Sequence, residues 1–291
     1  MKYWLLFLSA ILFIPNLSSR HLMFLPDKPL KHEHFNADLA RKIQSTSQLI
    51  TYIDSVAAVK GIRQNTNLYA YLILQIVEDR FFHSYSHYSL NENWIAALGG
   101  RYVWYDISAI VAPDDILKYP MAACSQQSIV LMSIFRAKNI PYRKVGFEGH
   151  YAVAAEFNKQ WIFFDANLEP QADQNMQRMD YLLQGDHLAV YYKDVLTPNQ
   201  IATLFKHTVT GKINIAPAPR ITVFHNITWF LSHWLWVVPM CLFVFLMLKR
   251  YKTRFSKLLR SGTLSPADST LKYTFHDVSK TPQHSHKKGA H

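Results

Sequence analysis

Cysteine is scarce in this chain, with two in 291 residues. Cys241 falls inside a long apolar run, so Cys124 stands alone in the remainder and has no partner for an intrachain disulfide. A disulfide-stapled scaffold is excluded. No internal repeat is present either, which excludes an array of stacked units. Excess positive charge is missing where a nucleic-acid binder would need it. The chain carries a formal +11, yet residues 26–219 hold 18 Lys and Arg against 18 Asp and Glu, while 249–291 hold 10 against Asp268 and Asp277. The basicity therefore belongs to one end, where it suits anionic lipid heads, and nucleic acid is not expected as a partner.

What is present at the two ends points to a membrane. Lys2 precedes the apolar run 3–14, and Pro15 and the small polar residues Ser18 and Ser19 follow it, the layout of a secretion signal. Residues 1–25 read as a signal peptide or a short signal anchor, with cleavage favoured. The second run, 227–248, is 22 residues without a charge, against roughly 20 needed to cross the hydrocarbon core. Trp229, Trp234 and Trp236 crowd its first half, and Lys249, Arg250, Lys252 and Arg254 follow at once, the pattern of a spanning helix with its basic flank in the cytoplasm. Residues 249–291 read as a basic, disordered tail, and 213–220, with Pro217 and Pro219, as a stiff spacer. One domain remains, 26–219, on the far side of the membrane. The arrangement fits a bacterial inner-membrane protein working in the periplasm.

Within that domain, apolar residues recur at helical spacing from Leu39 to Ala57, with Asn36 as cap and Gly61 as stop, and again from Tyr69 to Val77 in a helix over 67–82. From Cys124 the chain is apolar nearly all round through Ile129 to Phe135, which predicts a buried helix ending at Asn139, before Pro141. Three β-favouring segments follow, 143–147, 149–157 and 160–165, with Asn158-Lys159 as a hairpin turn. Helices return over 173–183 and 198–207.

Cys124 begins the buried helix, where unpaired backbone N–H groups and the positive end of the helix dipole suit a nucleophile. His150 starts one strand and Asp165 ends the next. If Glu156 lies opposite Trp161, then Ala152 faces Asp165 and Asn167 faces His150, so His150 and Asp165 become diagonal neighbours on one face, about 7–8 Å apart at the backbone. Over that separation a carboxylate reaches an imidazole nitrogen. Cys124 would then attack a carbonyl carbon, His150 would take the thiol proton and return it to a leaving amine, and Asp165 would fix the ring tautomer. Singly, each residue has a bland reading as core filler, interior histidine or strand-end cap. It is the combination at this spacing that argues for catalysis. His83 and His87 have the i,i+4 spacing of a metal pair, with Glu78, Asp79 or Glu92 as a third ligand. No Glu follows His83 as zinc proteases require, and 81–90 is rich in Ser and Tyr, so a polar loop is the better reading. Neither metal nor cofactor is expected.

Cys124 at a helix start, then Asn139-Ile140-Pro141-Tyr142-Arg143 and Val145, then Gly149-His150, then Trp161 and Asp165, resemble the transglutaminase-like core over residues 122–170. The family pattern has a "GIPAR"-like helix exit, a "GHAW"-like strand and a "W...D" strand. Here Asn139 replaces the usual glycine, and Tyr151-Ala152 replaces the small-aromatic pair after the histidine. Neither change touches a triad position. The resemblance implies an α+β fold, with helices packed on one side of a small antiparallel sheet, and acyl transfer or hydrolysis at an amide of a protein or peptide. It also implies an oxyanion hole built from the cysteine backbone N–H and a donor elsewhere. Trp94 and Gln126 are the candidates, with Trp104 and Tyr105 nearer to the cysteine than Trp94, and each also has a structural reading. Water or an amine as the final acceptor is left open, as is a non-catalytic binding or scaffolding module that keeps the fold.

Overall fold

The computed structural model describes residues 3–17, 28–29, 33–170 and 176–261. The expected tail beyond 261, the expected cleavage region at 18–25 and the start of the helix expected at 173 lie outside the described residues. The chain divides after Cys241 into two units, each taken by itself.

The first unit opens with α1 (Tyr3–Leu17). The helical stretch expected after Asn36 is two helices, α2 (Ala37–Lys42) and α3 (Thr46–Val59). Asn36 caps the first by accepting from the backbone N–H groups of Asp38 and Leu39, both at 3.0 Å, and Gly61 follows the second at φ +62°. The interruption at Ile43 serves packing. Arg80, fully buried at the end of α4 (Asn67–Arg80), donates Nε to the Ile43 carbonyl at 2.9 Å and its other nitrogens to the Leu117 and Tyr119 carbonyls. A continuous α2–α3 helix would have used that carbonyl internally. After α4 come α5 (Leu90–Tyr102), kinked at Asn93, a 3-10 turn over Tyr105–Ser108 and the short α6 (Pro113–Ile116). The helix expected from Cys124 is α7 (Cys124–Ala137), and Asn139 turns the chain at φ 55° just before Pro141.

The three expected strands are β1 (Tyr142–Gly146), β2 (Tyr151–Phe157) and β3 (Gln160–Phe164). Asn158 and Lys159 sit at φ 48° and 62°, the pair of left-handed residues that a two-residue hairpin demands. Glu156 therefore faces Trp161, the expected register, and Val153 faces Phe164. After α8 (Met179–Leu182), α9 (His187–Tyr192) and α10 (Pro198–Leu204), a fourth strand, β4 (Val209–Thr210), joins the edge of β1 to give the antiparallel order β3-β2-β1-β4.

The fold is α+β, but helices cover both faces of the sheet rather than one. Val153, Ala155, Phe157 and Phe164 pack with α4 and α7, whereas Ala152, Ala154 and Phe163 pack with α8 and α9. The cause is written in β2, where Ala152, Val153, Ala154 and Ala155 are all buried. A strand without polar alternation has no face to give to water.

The segment expected as a free spacer is instead fastened to β1. Gly211 donates its N–H to the Lys144 carbonyl at 2.8 Å, and Asn214 exchanges two bonds with the Tyr142 backbone, at 2.8 and 3.1 Å. The chain then enters α11 (Pro219–Trp234), whose His225, Thr228 and Ser232 are buried while Val223, Ile227 and Phe230 are exposed. On the buried side, Asn93 donates to Thr228 Oγ1 at 2.9 Å and accepts from Ser232 Oγ at 3.1 Å, and His225 Nε2 meets the Ile107 carbonyl at 2.7 Å. Next is α12 (Val237–Ser261). In the second unit, from Leu242, it exposes Leu242, Val244, Phe245 and Leu246 before the basic residues begin. Among the described residues one helix, Pro219–Lys257, is long and apolar enough to cross a membrane.

The N-terminal helix has partners of its own. Ser9 Oγ donates to the Trp236 carbonyl at 2.8 Å, Asn16 Nδ2 donates to the Ser232 carbonyl at 3.2 Å, and the Phe13 and Trp236 rings meet edge-on at 5.0 Å. Rising numbers in α1 meet falling numbers beyond it, so the two helices run antiparallel. A cleaved signal would discard these contacts. Peptide mapping of the protein extracted from membranes should therefore recover residues 3–17, and a mature N-terminus between 18 and 26 would contradict this packing.

Candidate active site

Three elements deliver the expected triad. The β2–β3 register leaves His150 just before β2 and Asp165 just after β3, and their side chains meet with Nε2 and Oδ2 2.7 Å apart. The pair is buried, with His150 4% and Asp165 2% exposed. Such burial is tolerable only because the carboxylate is fully engaged. Oδ1 accepts the backbone N–H groups of Asn167 and Leu168 at 3.2 Å, and Oδ2 also accepts the Tyr192 hydroxyl. Aromatic rings close off water. Phe147 stacks on the imidazole with centroids 6.2 Å apart, Phe205 meets it edge-on at 6.0 Å, and Tyr192 stacks on Phe205 at 4.6 Å.

Cys124 reaches this pair because the first two turns of α7 are pinned on either side. Ser128, one turn on from Cys124, donates Oγ to the Tyr151 carbonyl at 3.3 Å, so the helix abuts the strand beside His150. Gln126 holds the other side. Its Oε1 accepts from Ala123 and Ser86 N–H at 3.1 and 2.9 Å, and its Nε2 donates to the Ser86 and Ile110 carbonyls, both at 2.8 Å. The reach back to Ala123 is half of a capping box. Cys124 itself is half-buried and in no disulfide.

The electrostatics follow from this enclosure. Burial pulls the His150 imidazole down, but the Asp165 charge, its hydrogen bond and the bond to the Cys124 side chain outweigh burial and push it up to about 10. With Nε2 given to the carboxylate, Nδ1 is the nitrogen left for the sulfur. Burial would raise Asp165, yet the His150 charge and the bonds from His150, Tyr192 and Leu168 hold it below the usual carboxylate range. The imidazole thus holds its proton at neutral pH, clamped to a carboxylate on one side and raised further by the Cys124 side chain.

The two oxyanion candidates are engaged elsewhere. The Trp94 indole N–H donates to the Ser232 carbonyl at 2.9 Å, tying α5 to α11, and all four bonding positions of the Gln126 amide are filled as described above. The residue that sequence reasoning missed is Tyr85. Burial, then the charge on Cys124, raises its phenol, while a hydrogen bond with Ser125 lowers it. It also lines a cavity of about 350 Å³ together with Ser125 and Gln126 of α7. Trp104 lines the same cavity, and Tyr105 packs its ring 5.9 Å from that of Tyr85. Nothing in the serine- and tyrosine-rich segment 81–90 marks Tyr85 apart from its neighbours. His87, the other residue singled out there, is buried with Nδ1 2.7 Å from Ser108 Oγ. Among the described residues no group of three or more His, Cys, Asp or Glu side chains stands at metal-binding distance.

No protein-family model, no curated protein and no solved structure matches the chain.

The raised imidazole gives a signed pH dependence. Its folded pKa of about 10 lies above an ordinary value near 6.5, so its stabilising contribution is full below about 6.5 and is lost as pH rises through 10. In Asp165→Asn the ring loses its counter-ion, burial dominates, and the histidine is neutral in both states above about pH 7. The difference in thermal midpoint between wild type and Asp165→Asn should therefore narrow from pH 7 to pH 10. A difference that stays constant across that range would show that the pair is not charged.

Proposed function

We propose that this protein is a membrane-anchored, transglutaminase-like thiol enzyme that transfers or hydrolyses an acyl group at an amide of a protein or peptide in the bacterial periplasm. The carrying observation is one imidazole bonded on one side to a buried carboxylate at 2.7 Å, with the side chain of a helix-start cysteine near enough to act on its charge. A structural histidine needs the first contact but not the second.

In the proposed cycle Cys124 and His150 start as a thiolate–imidazolium pair, the ring already holding the thiol proton, and the sulfur attacks the amide carbonyl carbon. The C–N bond breaks, and His150 returns the proton to the leaving amine. The thioester left behind is resolved by water, giving a carboxylic acid, or by an amine, giving a new amide. In either case His150 takes the proton of the incoming nucleophile and the sulfur leaves as thiolate, which restores the starting ion pair. Asp165 holds the ring so that one nitrogen faces the sulfur throughout. Negative charge on the carbonyl oxygen is met by the first-turn N–H of Cys124, which has no intrahelical acceptor, and by the Tyr85 hydroxyl.

The membrane assignment is supported by the basic flank beyond Leu248 and by the burial pattern of α11. His225, Thr228 and Ser232 face inward and large apolar side chains face outward, the reverse of a helix in water and the order expected in lipid.

Iodoacetamide reports on the nucleophile without needing a known substrate. In a Cys241→Ser background, wild type should be alkylated at Cys124 at neutral pH, Cys124→Ala should not react, and His150→Ala should slow the reaction by about 10²–10⁴-fold. Equal rates in wild type and His150→Ala would leave a scaffold and no enzyme. Tyr85→Phe separates the oxyanion role from folding. It should slow acylation by p-nitrophenyl acetate by about 10²–10³-fold while leaving alkylation, which passes through no oxyanion, unchanged. A parallel loss in both reactions would assign Tyr85 to packing instead.

A further inference from the structure

The cavity that adjoins Cys124 through Ser125 and Gln126 is built together with the start of α11. Besides Tyr85 and the first turn of α7, the cavity of about 350 Å³ is lined by Pro217, Ala218 and Ile221, the residues that lead into and begin α11. Those residues cannot swing away from the domain. On one side 209–214 is hydrogen-bonded along β1. On the other, Asn93, Trp94 and Ile95 of α5 all bond to Thr228 or Ser232, the last through its N–H to Ser232 Oγ at 3.1 Å.

A rigid mount fixes the distance from the site to Trp229 of α11. Counted back from the basic flank at Lys249, about 20 residues cover the hydrocarbon core and bring its outer edge near Trp229, where a tryptophan belongs. Ile221 precedes Trp229 within α11 by about 12 Å of helix at 1.5 Å per residue. The headgroup layer itself takes up roughly 5–7 Å of that distance. The cavity wall at Ile221 therefore lies just above the lipid heads. Trp104, which lines it, is 59% exposed and continues the exposed apolar run from Tyr102 and Val103, at 76% and 80%, a composition suited to an interface rather than to bulk water.

We propose that the substrate is a polypeptide anchored in the same membrane, and that Cys124 acts on an amide in its juxtamembrane stretch. This rests on the reading of Cys124 as a nucleophile and of α11 as the start of a membrane anchor. At about 3.3 Å per extended residue, the reactive amide lies roughly four to six residues from the point where the substrate leaves the lipid. Soluble peptides and amides far along a flexible tether meet the site only by diffusion and gain nothing from the shared membrane.

The test uses the full chain, in the Cys241→Ser background, in vesicles of phosphatidylethanolamine and phosphatidylglycerol. A vinyl sulfone is joined to a lipid through an oligoproline rod, which extends about 3.1 Å per residue, with no proline, about four or about twelve. Labelling of Cys124 should be about tenfold faster with the four-residue rod than with either of the others, because effective concentration peaks when the spacer matches the span. Equal rates for all three rods, or the fastest labelling with the longest, overturns the proposal. Soluble iodoacetamide, applied to the same vesicles, keeps the two failures apart. Selective, His150-dependent alkylation with no rod preference removes only the membrane-anchored substrate, whereas absence of that alkylation removes the nucleophile and the proposal with it.

Discussion

The contact between His150 and Asp165 is the constraint that the rest of the domain is arranged to satisfy. Two ionisable groups a few per cent exposed are costly to bury, and no single element could offset that cost. The hairpin brings them together at its open end, where the strands have stopped and side chains can lean across. The turn after β3 contributes two backbone N–H groups, α9 contributes the Tyr192 hydroxyl, and Phe147 and Phe205 remove water. The second helical layer is thus required by the carboxylate as much as by hydrophobic burial. Without α9 and α10 the outer face of β2 would be wet and Asp165 would lose both the Tyr192 hydroxyl and its low-dielectric setting.

The same reasoning explains why α7 is held so firmly at its beginning. A thiol adjacent to a fixed imidazole is useful only if its own position is equally fixed. Helix starts fray, and an alanine N-cap has no side chain with which to prevent it. Gln126 supplies what Ala123 lacks, and extends the connection to two other segments, at Ser86 and Ile110, that wall the cavity. A residue that looked available to a substrate is therefore the one that builds the substrate's surroundings. Its amide is satisfied at every position, and satisfied buried amides rigidify a site rather than act in it.

Much of this was legible because it is local. Asn158-Lys159 fixes a two-residue turn, a two-residue turn fixes parity, and parity puts His150 and Asp165 on one face whatever the rest of the chain does. The end of α7 was legible for the same reason, since Asn139 and Pro141 act on their own backbone. What was not legible depends on partners distant in sequence. Tyr192 and Tyr85 are two among 16 tyrosines, and nothing nearby distinguishes a hydroxyl that will meet a carboxylate 27 residues back from one that will face solvent. Trp94 was chosen for chemistry it could perform, but its indole is paired with a carbonyl 138 residues away. Residues 209–214 are polar, short and near prolines, features of a linker, and only the unpaired edge of β1 turns them into a strand.

The apolar helix shows how such distant pairing changes the meaning of a sequence pattern. Hydropathy treats residues 219–257 as one greasy rod and treats Thr228 and Ser232 as minor blemishes in it. In the folded chain those residues, with His225, form a polar stripe that faces α5, and Asn93 at the kink of that helix bonds to two of them. Ser9 and Asn16 repeat the arrangement from α1, each bonding to a backbone carbonyl at Trp236 or Ser232. In water this stripe would face outward and the apolar residues inward. Since interhelical hydrogen bonds replace the missing hydrophobic drive where the surroundings are themselves apolar, the inverted order accounts at once for why the helix needs its polar residues and for why the domain cannot drift from it. Under the proposed function, a sulfur mounted in this way would meet substrates at one distance from α11, and that constraint would act on them before the cavity does.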